Sequence, residues 1–158
     1  MVCLGDMQTL RQMIDAIVQT QTKREYRLRR LTDGERRQLI ADLVHAVGSA
    51  QTGLRGAVCG SRAKPAAWNL ELFVYDVCWA VWSARLPVTA NRNPKLSLAQ
   101  SLARQVAIAA GLAGHGGAVG SLYREMKCAR ACLCARAPDD GVPLAWLDGR
   151  MELAPPAS

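Results

Sequence analysis

The basic segment over residues 23–37 has the residue types needed to bind a polyanion. It contains seven basic and three acidic side chains, together with one aromatic residue, Tyr26. Lys and Arg neutralise phosphates and release their counterions, which alone can give non-specific nucleic-acid binding, and a tyrosine can stack on a base. The alternative is a solvated polar helix face. The candidate phosphate-binding residues of this segment are Lys23, Arg24, Arg27, Arg29, Arg30, Arg36 and Arg37.

A second candidate lies over residues 102–130. Residues 102–111 (LARQVAIAAG) resemble the first half of a helix–turn–helix motif. The turn that follows, GLAGHGG, is longer than the usual three or four residues, so two core helices joined by a glycine-rich turn are the competing interpretation. In a helix–turn–helix, the second helix would face a major groove with Ser121, Arg124, Lys127 and also Arg130.

The cysteines allow a metal site only in part. Cys128 and Cys132 are one helical turn apart, and a histidine or a distant cysteine could complete a set of four ligands. Cys134 would point away from both on a continuous helix, and the paired C-x-x-C spacing of common zinc sites is absent. The sequence has six cysteines and enough apolar residues for a packed core. We therefore predict buried, reduced thiols and no metal site.

Catalytic residues are not indicated by the sequence. The two histidines, His45 and His115, have no local signature of a nucleophile–base pair. Glu71 and Asp76 fall on different edges of their predicted helix, so they do not form an acid–base pair. The glycines of residues 48–64 do not match a phosphate-binding loop. We predict no enzyme activity and no cofactor.

The stretch from Pro65 to Pro87 is predicted to be the central helix that positions these groups. Nothing between the two prolines breaks a helix, and apolar residues fall on two opposite faces at helical spacing. Two apolar faces predict neighbouring helices on both sides. One face is formed by Leu70, Phe73, Val74, Val77, Val81 and Ala84, and the other by Trp68, Leu72, Tyr75, Trp79, Trp82 and Leu86. If part of the aromatic face is exposed, a protein-interaction role becomes the better hypothesis.

A membrane span is the competing interpretation of the same stretch. Asp76 would then lie near the middle of the bilayer at a cost of roughly 2.5–3.5 kcal/mol, and Glu71 would add to that cost. The sequence has no second apolar segment of that length to shelter these carboxylates. We therefore predict a core helix and no membrane interaction.

The remaining pattern predicts an all-α protein, a single-domain bundle of about five helices around residues 66–86. Thr32 to Glu35 is a capping-box pattern, and Ser97 can cap a further helix. We expect a helical domain over residues 1–137 and a short C-terminal extension over residues 138–158, partly disordered at its end. The predicted helices cover residues 6–30, 33–47, 66–86, 97–112 and 119–136.

The functional hypotheses rest on the net charge and on its distribution along the sequence. The formal net charge is +7, and residues 85–104 contain four basic side chains and no acidic one. We predict a small basic, non-enzymatic protein that is nucleic-acid-associated or regulatory and contacts phosphate through residues 23–37. The alternative is a protein–protein interaction module, an inhibitor or adaptor, that binds an acidic protein surface and can form a homo-oligomer through exposed aromatics. The N-terminus has no pattern of a secretory signal, so we expect a cytoplasmic protein.

Overall fold

The five predicted helices are present and form a bundle. The computed structural model describes residues 4–24, 30–52, 70–92, 96–111, 119–136, 144–147 and 150–153, with side chains in 7–22, 30–50, 70–92, 96–111 and 122–133. The predicted all-α helical bundle is confirmed. Its helices are α1 (Leu4–Arg24), α2 (Asp33–Thr52), α3 (Leu70–Ser83), α4 (Leu98–Ala109) and α5 (Val119–Arg136).

Helix α3 is the centre of the bundle. It packs most extensively against α5 and α2, and it also contacts α4. Phe73, Val77 and Val81 are fully buried on one face, and Tyr75 and Trp82 are buried on the other. The prediction of neighbours on both sides of this helix is therefore confirmed. Within the described part of the chain, no helix is long and apolar enough to cross a membrane.

The end of α3 differs from the prediction because the chain turns before Pro87. The Leu86 N–H donates to the Val81 carbonyl at 3.1 Å, and the Arg85 N–H donates to the Trp82 carbonyl at 2.9 Å. These two bonds form a Schellman motif, with Arg85 in the left-handed region at φ 60°. Glycine usually occupies this position, so the sequence did not indicate the turn. Residues 66–69 of the predicted helix lie outside the described residues.

Both predicted helix starts are confirmed. The Thr32 N–H donates to Glu35 Oε2 at 2.9 Å and the Glu35 N–H donates to Thr32 Oγ1 at 3.3 Å, so a capping box opens α2. Ser97 and Gln100 form a second capping box at the start of α4. These bonds satisfy N–H groups that have no partner inside the helix.

Three short strands accompany the bundle and were not predicted. They are β1 (Val88–Thr89), β2 (Leu144–Leu147) and β3 (Arg150–Leu153). They form an antiparallel sheet in the order β1-β3-β2, in which Val88 pairs with Leu153. The sheet thus joins the chain that follows α3 to the C-terminal extension. Val88 is fully buried, so the connection between α3 and α4 is anchored to the core.

Candidate nucleic-acid interface

Two cationic groups lie over the ring of Tyr123 on α5. The guanidinium carbon of Arg92 is 5.9 Å from the ring centroid, and the Lys127 ammonium nitrogen is 5.7 Å from it. Both distances are within the range of cation–π attraction. Lys127 is four residues after Tyr123 on the same helix face, whereas Arg92 comes from the connection between β1 and α4. We call Arg92, Tyr123 and Lys127 the tyrosine cluster.

The position of Arg92 is set by the residue before it. Gln100, fully buried in α4, accepts from the Asn91 N–H at 3.0 Å and donates to the Asn91 carbonyl at 2.8 Å. The same Gln100 oxygen accepts from the Ser97 N–H at 3.2 Å in the capping box. One buried amide therefore connects the start of α4 to the chain immediately before Arg92.

The outer face of α5 carries two exposed basic side chains, of which Arg124 is paired with the buried acid of the same helix. Glu125 is the one acid of α5, and its side chain is only 4% exposed, whereas that of Arg124 is 79% exposed. Arg124 Nη2 lies 3.1 Å from Glu125 Oε1. Burial raises the pKa of Glu125 above its usual value. The charge of Glu71 and its hydrogen bond with Glu125 raise this pKa further, whereas Arg124 lowers it. Lys127, by contrast, is exposed.

The basic segment is described only in part. Arg30 and Arg37 are exposed. Arg36 is half-buried, and its Nε lies 3.5 Å from Asp15 Oδ1, so it links α2 to α1. Arg36 is therefore partly neutralised by the bundle itself. Of the other candidates, Lys23, Arg24 and Ser121 are described by backbone alone within α1 and α5, and Arg27 and Arg29 lie outside the described residues.

The expectation that Arg130 faces a groove is wrong. Its side chain is fully buried, on the side of α5 that also buries Met126, Ala129 and Leu133. Its charge acts on Cys78 of α3: burial raises the pKa of Cys78 to about 12, and the positive charge of Arg130 opposes that shift. Sequence spacing grouped Arg130 with Arg124 and Lys127 because arginine is usually exposed.

The two helices of the helix–turn–helix hypothesis pack mainly against other partners. Helix α4 packs chiefly on α1, and α5 packs chiefly on α3. Residues 112–118, which include most of the connecting turn, lie outside the described residues. This packing favours the alternative of two core helices.

The cysteines differ from the expected set of reduced thiols. Cys78 and Cys128 are thiols, but Cys132 is disulfide-bonded, so the expectation is wrong for Cys132. A disulfide depends on the close approach of two backbone positions, which spacing along α5 does not reveal. The Cys78 thiol lies 3.3 Å from the Met126 sulfur in the core. Among the described residues, no three His, Cys, Asp or Glu side chains are grouped to hold a metal ion.

The aromatic face of α3 is exposed at one position. Trp79 is 40% exposed, while Tyr75 and Trp82 are 4% and 5% exposed. The Trp79 and Trp82 ring centroids are 5.3 Å apart, with the planes tilted by 46°. Trp68 lies outside the described residues. The described face is therefore a core contact with one exposed indole.

Comparison with known proteins finds no matching family model, no matching curated protein and no matching solved structure. The functional proposals therefore depend on the residues of this chain. Arg92, Tyr123 and Gln100 were not among the predicted site residues. Arg92 belongs to the acid-free stretch 85–104, and Tyr123 precedes Lys127 by one helical turn, so both carried a signal in the sequence. No sequence pattern indicated that these two residues, 31 positions apart in the chain, lie close together.

Proposed function

We propose that this protein is a small, basic, non-enzymatic nucleic-acid-associated or regulatory protein. It binds nucleic acid by contacts to phosphate, at two surfaces. One is the basic segment between α1 and α2, and the other is the outer face of α5. The proposed compartment is the cytoplasm, where a buried thiol such as that of Cys78 stays reduced, although the disulfide of Cys132 is the bond of an oxidising compartment. The residues proposed to contact phosphate are Lys23, Arg24, Arg27, Arg29, Arg30, Arg36, Arg37, Ser121, Arg124 and Lys127.

The observation that carries this proposal is the charge asymmetry of α5. Arg124 and Lys127 are exposed, and Glu125, which lies between them in sequence, is buried. Lys127 and Arg124, the latter paired with Glu125, put positive charge on the outer face of α5, whereas Arg130 and Glu125 of the same helix are buried. Phosphate oxygens fit this surface because lysine and arginine are the groups that neutralise them.

The end of the basic segment supports the same function. Arg30 and Arg37 flank the start of α2 and are exposed to solvent. Asp15 lies beside Arg36, which belongs to the same basic segment. Phosphate binding here requires only charge, and it does not depend on the sequence of the nucleic acid.

The test is the salt dependence of binding. Fluorescence anisotropy of a labelled duplex and a labelled single strand should give an affinity that falls linearly with log salt concentration. Replacing Lys23, Arg24, Arg27, Arg29 and Arg30 with glutamine should make the slope shallower. Absence of binding to any duplex or single strand at low salt would overturn the proposal.

The exposure of Trp79 favours a second candidate function, an interaction module that binds an acidic protein surface. Aromatic and arginine side chains are enriched where proteins bind each other. The condition that the sequence set for preferring this function, partial exposure of the aromatic face, is therefore met at one residue. We still rank it second, because a single exposed indole is common on monomeric proteins and the rest of the described aromatic face is buried. It predicts that Trp79→Ser abolishes binding of an acidic protein partner and leaves nucleic-acid binding unchanged.

A further inference from the structure

We propose that the tyrosine cluster is a phosphate-binding site for the sugar–phosphate backbone of a nucleic acid, with Gln100 as the residue that positions Arg92. This inference depends on the proposed function and deepens it, because it adds Arg92, Tyr123 and Gln100 to the contact surface. It also assigns a binding mode that does not depend on base sequence.

Two cationic groups share one aromatic ring. Arg92 and Lys127 come from different elements, yet both cationic groups lie within 6 Å of one ring centroid. The ring attracts each cation only modestly and does not neutralise either charge. Two ion pairs of the described residues join Arg36 to Asp15 and Arg124 to Glu125, and neither pair includes Arg92 or Lys127. A bound anion would complete this arrangement.

The elements that carry the two cations are held in place before any ligand binds. The Asn91 backbone is bonded in both directions to the buried Gln100 amide, at 3.0 and 2.8 Å, so the start of the Arg92 side chain is fixed. Lys127 stands on a regular helix one turn from the ring that it contacts. A side chain that is already ordered loses less conformational freedom on binding.

The chemical groups of the cluster indicate the class of ligand. The Tyr123 ring is half-buried, and cations lie over it, so the covered ring is not a free platform for a base. What the cluster offers is an arginine fork, which can bind two oxygens of one phosphate, and an ammonium group, which acts as a point charge. These groups recognise a phosphodiester backbone rather than a base edge.

Paired variants test this site in the full-length protein. Arg92→Gln with Lys127→Gln removes two charges from the cluster. Arg11→Gln with Arg104→Gln removes two charges from exposed positions on α1 and α4 and is the matched control. With a labelled duplex in a salt series, the cluster variant should reduce the slope of log affinity against log salt by about 0.9, because the protein no longer neutralises the one phosphate that the cluster binds. The control should change the slope by less than half of that. Equal changes in the two variants would overturn the inference.

The role of the ring is tested separately. Tyr123→Phe keeps the aromatic face, whereas Tyr123→Leu keeps the burial and removes the attraction for cations. We expect Tyr123→Leu to weaken binding about two- to five-fold and Tyr123→Phe to leave it unchanged. Equal affinity of both variants and the wild type would overturn the assignment of the ring. Circular dichroism would verify that each variant is folded.

The outcomes separate this inference from the proposed function. If the wild type binds no nucleic acid at low salt, both fail. If it binds and glutamine substitutions in residues 23–30 flatten the salt slope while the cluster variant does not, only the tyrosine cluster is overturned.

Discussion

Gln100 and Asn91 are joined by two hydrogen bonds that run in opposite directions. The side-chain amide of Gln100 accepts from the Asn91 N–H at 3.0 Å and donates to the Asn91 carbonyl at 2.8 Å. A fully buried side chain thus pairs with a chain segment much as a neighbouring strand would. The pairing connects the sheet side of the molecule to α4, and it precedes the arginine of the tyrosine cluster by one residue.

Replacing Gln100 with leucine should therefore destabilise the protein markedly. Leucine keeps a similar volume but leaves the Asn91 N–H and carbonyl without their partner. We expect a loss of about 2–4 kcal/mol in the free energy of unfolding, measured by urea titration. Gln105→Leu is the control, because Gln105 is exposed on the same helix, and its effect should stay within about 0.5 kcal/mol. Equal effects of the two substitutions would contradict a structural role for the Gln100 amide.

Replacing Arg85, the left-handed residue after α3, should instead stabilise the protein. Arg85 has φ 60°, a conformation that costs a residue with a side chain roughly 1–2 kcal/mol. Arg85→Gly should stabilise the protein by about 0.5–1 kcal/mol, because relief of this strain exceeds the entropy that glycine adds to the unfolded chain. Thermal unfolding should show a higher Tm. A lower Tm would mean that the exposed Arg85 side chain makes a stabilising contact.

Gly111, after α4, is the corresponding left-handed position with a glycine. It also has a positive φ, 67°, and a Cβ built there would meet no atom within 4 Å. Gly111→Ala should therefore destabilise the protein through backbone conformation alone, by about 1 kcal/mol. The two substitutions should shift Tm in opposite directions. A neutral Gly111→Ala would argue against the left-handed turn at the end of α4.

The buried carboxyl of α5 predicts a pH dependence. Burial, with a further contribution from Glu71, raises the pKa of Glu125, so the folded state favours the protonated form. The stability that this group contributes is fully present below its unfolded pKa of about 4.3 and is lost as pH rises through the higher folded pKa. Glu125→Gln should therefore gain stability relative to wild type between about pH 4 and neutral pH. Urea unfolding of both proteins over this range would measure the difference. A difference that does not change with pH would contradict the shift.

The two tryptophans at the end of α3 should differ sharply in their effect on stability. Trp82 is 5% exposed and Trp79 is 40% exposed. Trp82→Ala should cost about 3–5 kcal/mol because it opens a cavity in the core, and Trp79→Ala should cost clearly less. Chemical denaturation of the two variants would check the order. The reverse order would mean that Trp79 is the residue packed in the core.

Local sequence patterns predicted the helices of this fold. Contacts between distant residues determine which side chains form the candidate site. Helical spacing located α3 and its two packed faces, and the capping residues Thr32 and Ser97 marked two helix starts. The same spacing placed Arg130 on the outer face of α5, although it is buried beside Cys78. A short-range pattern cannot reveal which charged residue a neighbouring helix will cover.

Long-range pairing accounts for the other differences. Val88 pairs with Leu153 across most of the second half of the chain, and neither segment is long enough to predict a strand by itself. The approach of Arg92 to Tyr123 depends on this anchoring and on Gln100. Of the predicted phosphate contacts, Arg124 and Lys127 lie on the exposed face where helical spacing placed them. The segment around Tyr26 remains a prediction from sequence.

The most direct test of the central claim is the salt dependence of nucleic-acid affinity for the wild-type protein. If the outer face of α5 and the basic segment bind phosphate, log affinity for a labelled duplex should fall linearly with log salt, with a slope of about 0.9 per phosphate contacted. A slope equivalent to several phosphates, unchanged when the duplex sequence is altered, is the predicted result. No detectable binding at low salt, or an affinity that salt does not change, would contradict it.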